Sequence, residues 1–337
     1  MAHPRHDGRR ILLALCLAPI IAAGCDRATT AGPRGGAADG VIRAFVTIAP
    51  QAYVVERIAG DAATVDVLIP AGQSHHTYEP TPRRVGELAR ADVFFLLGVP
   101  FEEPLADRIR AGHGQVRIVD TGRSVTKRSI GECGHEHAAN DETQGTDPFP
   151  GHEEGEFDPH FWLDPRALRI MAAAVRDELS QIRPDDANKF QRGFDALAGD
   201  LDDLHERISR KLAPFAGREF YVFHPALGYF ADAYGLVQVS VEHEGKEPTG
   251  SRLAALQDRM NRNAATTLFV EPQFTSSAAN ALAERVGAGI VTINPLAGDY
   301  LDNLETMADR IAAALSPQSA GRDINPAPRD VTTRRPS

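Results

Sequence analysis

The chain has 337 residues, 42% hydrophobic and 24% charged, with 36 Lys and Arg against 46 Asp and Glu for a formal net charge of −10. That composition provides for a sizeable core in one large or two medium domains. The acidic balance, without clustered Lys or Arg, excludes a nucleic-acid binder, because neutralising phosphates needs a basic face; a cationic ligand suits it better.

In chain order, residues 1–24 read as an export signal. Arg9 and Arg10 precede the apolar run Ile11 to Gly24, which has the length of a signal h-region and is too short to span a bilayer as a stable helix. The run ends in "AAGC", which resembles the lipobox of bacterial lipoproteins and marks Cys25 as the lipidated residue after cleavage. An ordinary signal peptide cleaved elsewhere is the other reading. Asp26 resembles the signal that retains lipoproteins at the inner membrane. Of three cysteines, Cys16 lies in the signal and Cys25 carries the lipid, so Cys133 stands alone and no intrachain disulfide is available. Residues 25–41 are small, polar and Gly-rich, as a flexible tether would be.

Periodic structure begins after the tether. Short apolar or β-branched runs, "RAFVTIAP", "TVDVLIP", "DVFFLLG" and "QVRIVD", alternate with helical stretches at Gln51 to Ile58 and Pro82 to Ala89. The alternation predicts parallel βαβ units, here an N-terminal α/β lobe over residues 42–184. Across residues 185–213, Phe190, Phe194, Leu197, Leu201, Leu204, Ile208 and Leu212 recur at steps of three and four. This predicts one long helix of roughly 25 to 28 residues with one buried face, linking two parts of the chain. A second alternating set, "EFYVF", "VQVSV", "TLFVEP" and "GIVTIN" with helices between, predicts a C-terminal α/β lobe over residues 214–316. Residues 317–337 are Pro-, Arg- and Asp-rich and read as a disordered tail.

Three of the twelve histidines stand in contexts that a surface or core histidine would not need. His76 follows "TVDVLIP", His224 follows "EFYVF", and His160 lies in "FDPHFWLDP" between two X-Pro breaks. Ligands of open α/β sheets bind beyond the carboxyl ends of strands, so His76 and His224, one per lobe, face a common cleft if the lobes face each other, while the X-Pro breaks hold the His160 segment extended or in a turn. Glu79, Asp158 and Glu271 are candidates to orient such imidazoles by hydrogen bonding, or are surface residues and helix caps. Residues 129–159 lack Lys and Arg and carry His135, His137 and His152 among many carboxylates, with Cys133 beside His135. They are read either as a mobile metal-collecting loop or as a solvated acidic insertion.

Together, "HTYEPTP", "DPHFWLDP", "HPALGYFADAYGL" and "FVEPQF" resemble the ZnuA/TroA-type metal-binding solute-binding proteins of ABC transporters, and the likeness runs from about Arg43 to Leu315. The resemblance implies two α/β lobes with parallel sheets joined by a single long helix, a metal in the cleft, and no catalysis. Carried over by motif, the ligands are His76, His160 and His224. The fourth ligand of the family falls near "INPLAGDYLDNL", where this chain has Asn294 at a position many relatives fill with Asp; Asp299, Asn294 or a water completes the shell. Relatives often carry Pro at the position of His75, whose role stays open. Three imidazoles and an oxygen suit tetrahedral Zn²⁺ better than Mn²⁺, which prefers more oxygen ligands. The implied setting is periplasmic: a monomer lipid-anchored to the inner membrane, serving a cognate permease. An exported zinc-dependent hydrolase is the rival class, weakened by the absence of an H-E-x-x-H signature, and a zinc chaperone or adhesin on the same fold is the third.

Overall fold

The computed structural model describes residues 40–74, 78–112, 115–130, 157–242, 249–274 and 277–316. The export signal, Cys25, the tether up to residue 39, His75, His76, Cys133, His135, His137, His152 and the tail from residue 317 lie outside the described residues.

All eight apolar runs form strands. β1 (Ile42–Val46), β2 (Ala63–Val67), β3 (Val93–Leu96) and β4 (Arg117–Asp120) make a four-stranded sheet in the order β2-β1-β3-β4, parallel throughout. β5 (Glu219–Val222), β6 (Val237–Ser240), β7 (Thr267–Val270) and β8 (Gly289–Thr292) make a second in the order β6-β5-β7-β8, again parallel. The inner strands β3 and β7 are buried at every residue, while the edge strands β2, β4 and β8 are partly exposed. This is the pattern of a parallel sheet covered on both faces. In each sheet the chain leaves two adjacent strands in opposite directions, β1 and β3 in the first and β5 and β7 in the second, which opens a crevice at their carboxyl ends.

The expected helices are α1 (Ala49–Ala59) and α2 (Pro82–Leu88) in the first half, and α6 (Gly228–Tyr234), α7 (Gly250–Arg262), α8 (Ser277–Val286) and α9 (Tyr300–Leu315) in the second. Two others, α3 (Glu102–Ala111) and α4 (Pro165–Ile182), form where the sequence reading proposed none. The long helix α5 (Ala187–Leu212) has 26 residues and so runs about 39 Å. Its stripe Phe190, Leu197, Leu201, Leu204, Ile208 and Leu212 is fully buried, while Phe194 is only partly so, under the Arg176 guanidinium at 4.5 Å from its ring. α5 packs on α1 and α4 of the first half and on α9 and α6 of the second. One apolar core therefore runs through it, from Val46 and Leu168 to Phe230 and Leu304. At Gly193 a Cβ would lie 2.5 Å from the Ile58 carbonyl oxygen, so glycine there permits the close approach of α5 to α1.

Candidate metal centre

His160 is buried on the segment between β4 and α4. Asp158, two residues before it, turns one carboxylate oxygen onto both the His160 backbone amide at 2.9 Å and the His160 Nδ1 at 2.7 Å. An imidazole engaged through Nδ1 keeps Nε2 as its metal-binding nitrogen, and a carboxylate partner raises its basicity as a ligand. The other Asp158 oxygen accepts from Arg128 Nη1 at 2.7 Å. Burial pushes the Asp158 carboxyl up from its ordinary range, and the Arg128 charge and the His160 amide oppose that shift.

His160 is held on its far side as well. Trp162 Nε1 donates to the Pro295 carbonyl at 2.8 Å, and the Tyr300 hydroxyl donates to the Trp162 carbonyl at 2.6 Å. Pro295 and Tyr300 belong to the second half, so the stretch bearing His160 spans both halves.

His224 sits just beyond β5, beside the crevice between β5 and β7, and is buried. Its Nδ1 pairs with Glu242, just beyond β6, at 3.0 Å, and its ring stacks on Phe274 at 5.0 Å between centroids. The His160 and His224 rings meet edge to face at 5.3 Å between centroids, 69° apart. Burial lowers the His224 pKa, but the Glu242 hydrogen bond and the charges of Glu271, Glu242 and Asp158 outweigh it, leaving His224 above its ordinary 6.5. Glu271, at the end of β7, is buried beside this group; desolvation pushes its carboxyl to about 7, with the His224 charge pulling the other way. Two imidazoles, each oriented by its own carboxylate, are of the kind that ligates a divalent transition metal.

The other candidates are placed differently. Glu79 is exposed, and Asp299 is exposed at the N-cap of α9; among the described residues, neither meets His160 or His224 through a hydrogen bond or ion pair. The Asn294 side-chain oxygen accepts from the Leu296 amide at 3.1 Å, so it shapes the turn after β8. Among the described residues, no three His, Cys, Asp or Glu side chains converge on one point. Sequence reasoning missed Glu242 and Arg128. A signal existed for both: Glu242 follows a strand end as His224 does, and Arg128 is the last cation before a stretch that has none.

Two parallel α/β halves on a helical spine, with one imidazole from each meeting beyond the end of β5, define the class of two-lobed binding proteins with a long linking helix. The model of the family described as ZnuA, zinc-uptake complex component A periplasmic, matches residues 45–314, and the chain belongs to that family. The zinc-binding lipoprotein AdcA of Streptococcus pneumoniae (strain ATCC BAA-255 / R6) is 29% identical over 266 residues, 77% of this chain and 51% of its own. The chain thus spans about half the length of that relative. The high-affinity zinc uptake system protein ZnuA of Yersinia pestis is 27% identical over 271 residues, 76% of this chain and 84% of its own. Among solved structures, a ZnuA deletion mutant with zinc bound is similar at a TM-score of 0.73 and 32% identity, covering 83% of this chain and 100% of that one.

Proposed function

We propose that the protein is the extracytoplasmic zinc-binding component of an uptake system, receiving Zn²⁺ in the cleft and handing it to the permease of an ABC transporter. The observation that carries this reading is the pair of buried imidazoles, one from each half, at 5.3 Å between ring centroids and each engaged at Nδ1 by a carboxylate. The names of the relatives, a zinc-binding lipoprotein and a zinc uptake protein, support it.

In this proposal His76, His160 and His224 hold the ion, and an oxygen ligand completes the tetrahedron. Asp299 remains the candidate for that oxygen by motif, and Glu271 now competes for the role because it is buried beside His224. The chain acts as a monomer, anchored through lipid on Cys25 at the inner membrane. The acidic stretch with His135, His137 and His152 serves as a collecting loop.

The test is metal analysis of untagged protein purified without added metal, followed by zinc competition against a chromogenic chelator. His76→Ala, His160→Ala and His224→Ala are each expected to abolish tight zinc binding, and His75→Ala to leave it nearly intact. Three histidine variants that bind zinc like the wild type would overturn the site. Zinc-dependent hydrolysis of ester or peptide substrates by the loaded protein would favour the hydrolase class instead.

A further inference from the structure

We propose that Arg128 is a positioning residue of the metal centre: a buried guanidinium that holds the Asp158–His160 pair and the helix behind His224 in one register. The proposal rests on the zinc reading above.

Arg128 follows β4 in the first half and is buried. Its Nη1 donates to Asp158 at 2.7 Å, and its Nε donates to Asp232 of α6 at 2.9 Å. Its backbone amide donates to the Tyr229 hydroxyl, also of α6, at 3.2 Å, and that hydroxyl donates to the Thr126 carbonyl at 3.1 Å. α6 opens at Gly228, four residues after His224. One side chain therefore touches both the carboxylate that orients His160 and the helix that follows His224. A planar guanidinium can donate to two carboxylates at once in a fixed fork, which an ammonium on a flexible stem cannot reproduce.

The space is built for it. A Cβ at Gly228 would lie 1.7 Å from Arg128 Nη1 and 2.6 Å from Asp158 Oδ2. The first residue of α6 thus lacks a side chain where the guanidinium crosses between the halves. When Arg128 is displaced, Asp158 loses the partner that holds its rotamer and its charge, and His160 loses its fixed orientation; misdirected ligands are expected to shed the ion faster.

The experiment measures zinc dissociation by stopped-flow transfer to a chelator, with affinity by competition and folding by thermal unfolding, for Arg128→Met, Arg128→Lys, Gly228→Ala and the double variant that combines Arg128→Met with Gly228→Ala. Gly228→Ala removes no polar group; its methyl crowds the guanidinium and the Asp158 carboxylate by volume. Each single variant is expected to lose about tenfold or more in zinc affinity, carried by faster release, with lysine failing to restore it. In the Arg128→Met background the guanidinium contact is gone and only the Asp158 contact is left for the added methyl, so the double variant is expected to lose less than the sum of the two single penalties. Folded single variants that release zinc at the wild-type rate, or penalties that add in the double variant, would overturn the proposal. If Arg128→Met does not fold, Gly228→Ala and Arg128→Lys decide it by the same rates. A wild-type protein that binds no zinc would sink the zinc reading itself.

Discussion

A histidine gripped at Nδ1 by a carboxylate has one nitrogen left for a metal, and the grip sets both its direction and its proton affinity. At His224 the grip is Glu242, and the net shift is upward from 6.5. A proton and a metal compete for the same lone pair, so zinc affinity is full above that raised pKa and is lost as pH falls through it. Glu242→Gln takes away part of the upward shift. We predict that this variant binds zinc more weakly at pH 8 yet loses its remaining affinity at a lower pH than the wild type. Zinc competition across pH 5 to 8 checks it, and a midpoint that stays fixed or moves up would contradict the assigned role of Glu242. His224 was legible because it follows a strand end, and His160 because it lies between two X-Pro breaks in "FDPHFWLDP". Glu242 was harder to see, since one of two acidic residues in "SVEHEG" looks like any solvated loop carboxylate until β6 is set beside β5.

At the scale of elements, the two halves depend on α5. Leu201 and Leu204 lie at its middle, fully buried in the core shared by both halves. We predict that Leu201→Ala destabilises the protein by about 2–5 kcal/mol, through lost apolar contact and a residual cavity. Urea unfolding of the metal-free protein measures this; a loss below about 0.5 kcal/mol, as for a surface substitution, would mean that the spine is not central to the core. The helix was readable because its apolar stripe continues for seven turns without a break. α4 carries a comparable stripe, Leu168, Met171, Ala172, Val175 and Leu179, introduced by Asp164, whose side chain accepts from the Arg166 amide, and by Pro165 in the first turn. It is harder to see because "DPHFWLDP" points to extended backbone, and the same "DP" that ends that segment also starts a helix. All eight strands were readable as apolar runs bounded by turn residues, whereas which strands become neighbours depends on pairings between distant segments.

At the scale of the whole molecule, several ties cross between the halves near the site, among them Arg128 to Asp232, the Arg128 amide to Tyr229, Tyr229 to Thr126, Trp162 to Pro295, and Tyr300 to Trp162. None of them involves the ion. With a continuous core through α5 as well, the halves have little freedom to swing, and we predict that zinc binding leaves the radius of gyration unchanged within the error of small-angle scattering. A marked contraction on adding zinc would show a wide hinge and refute this. Release would then come from local rearrangement at the site.

The matching strand orders of the two sheets carry one more consequence. β2-β1-β3-β4 and β6-β5-β7-β8 are the same winding used twice, yet the two crevices are put to different use. In the first, the buried Glu102 carboxylate accepts from the amides of Leu97, Gly98 and Val99 and from the Thr47 hydroxyl, so backbone groups take up its oxygens. In the second, the opening is left to His224 and Glu271. One winding used twice is thus furnished differently, with a carboxylate bound by backbone amides in the first crevice and an imidazole with a carboxyl in the second, and the proposed ion site lies where the second meets imidazoles of the first half.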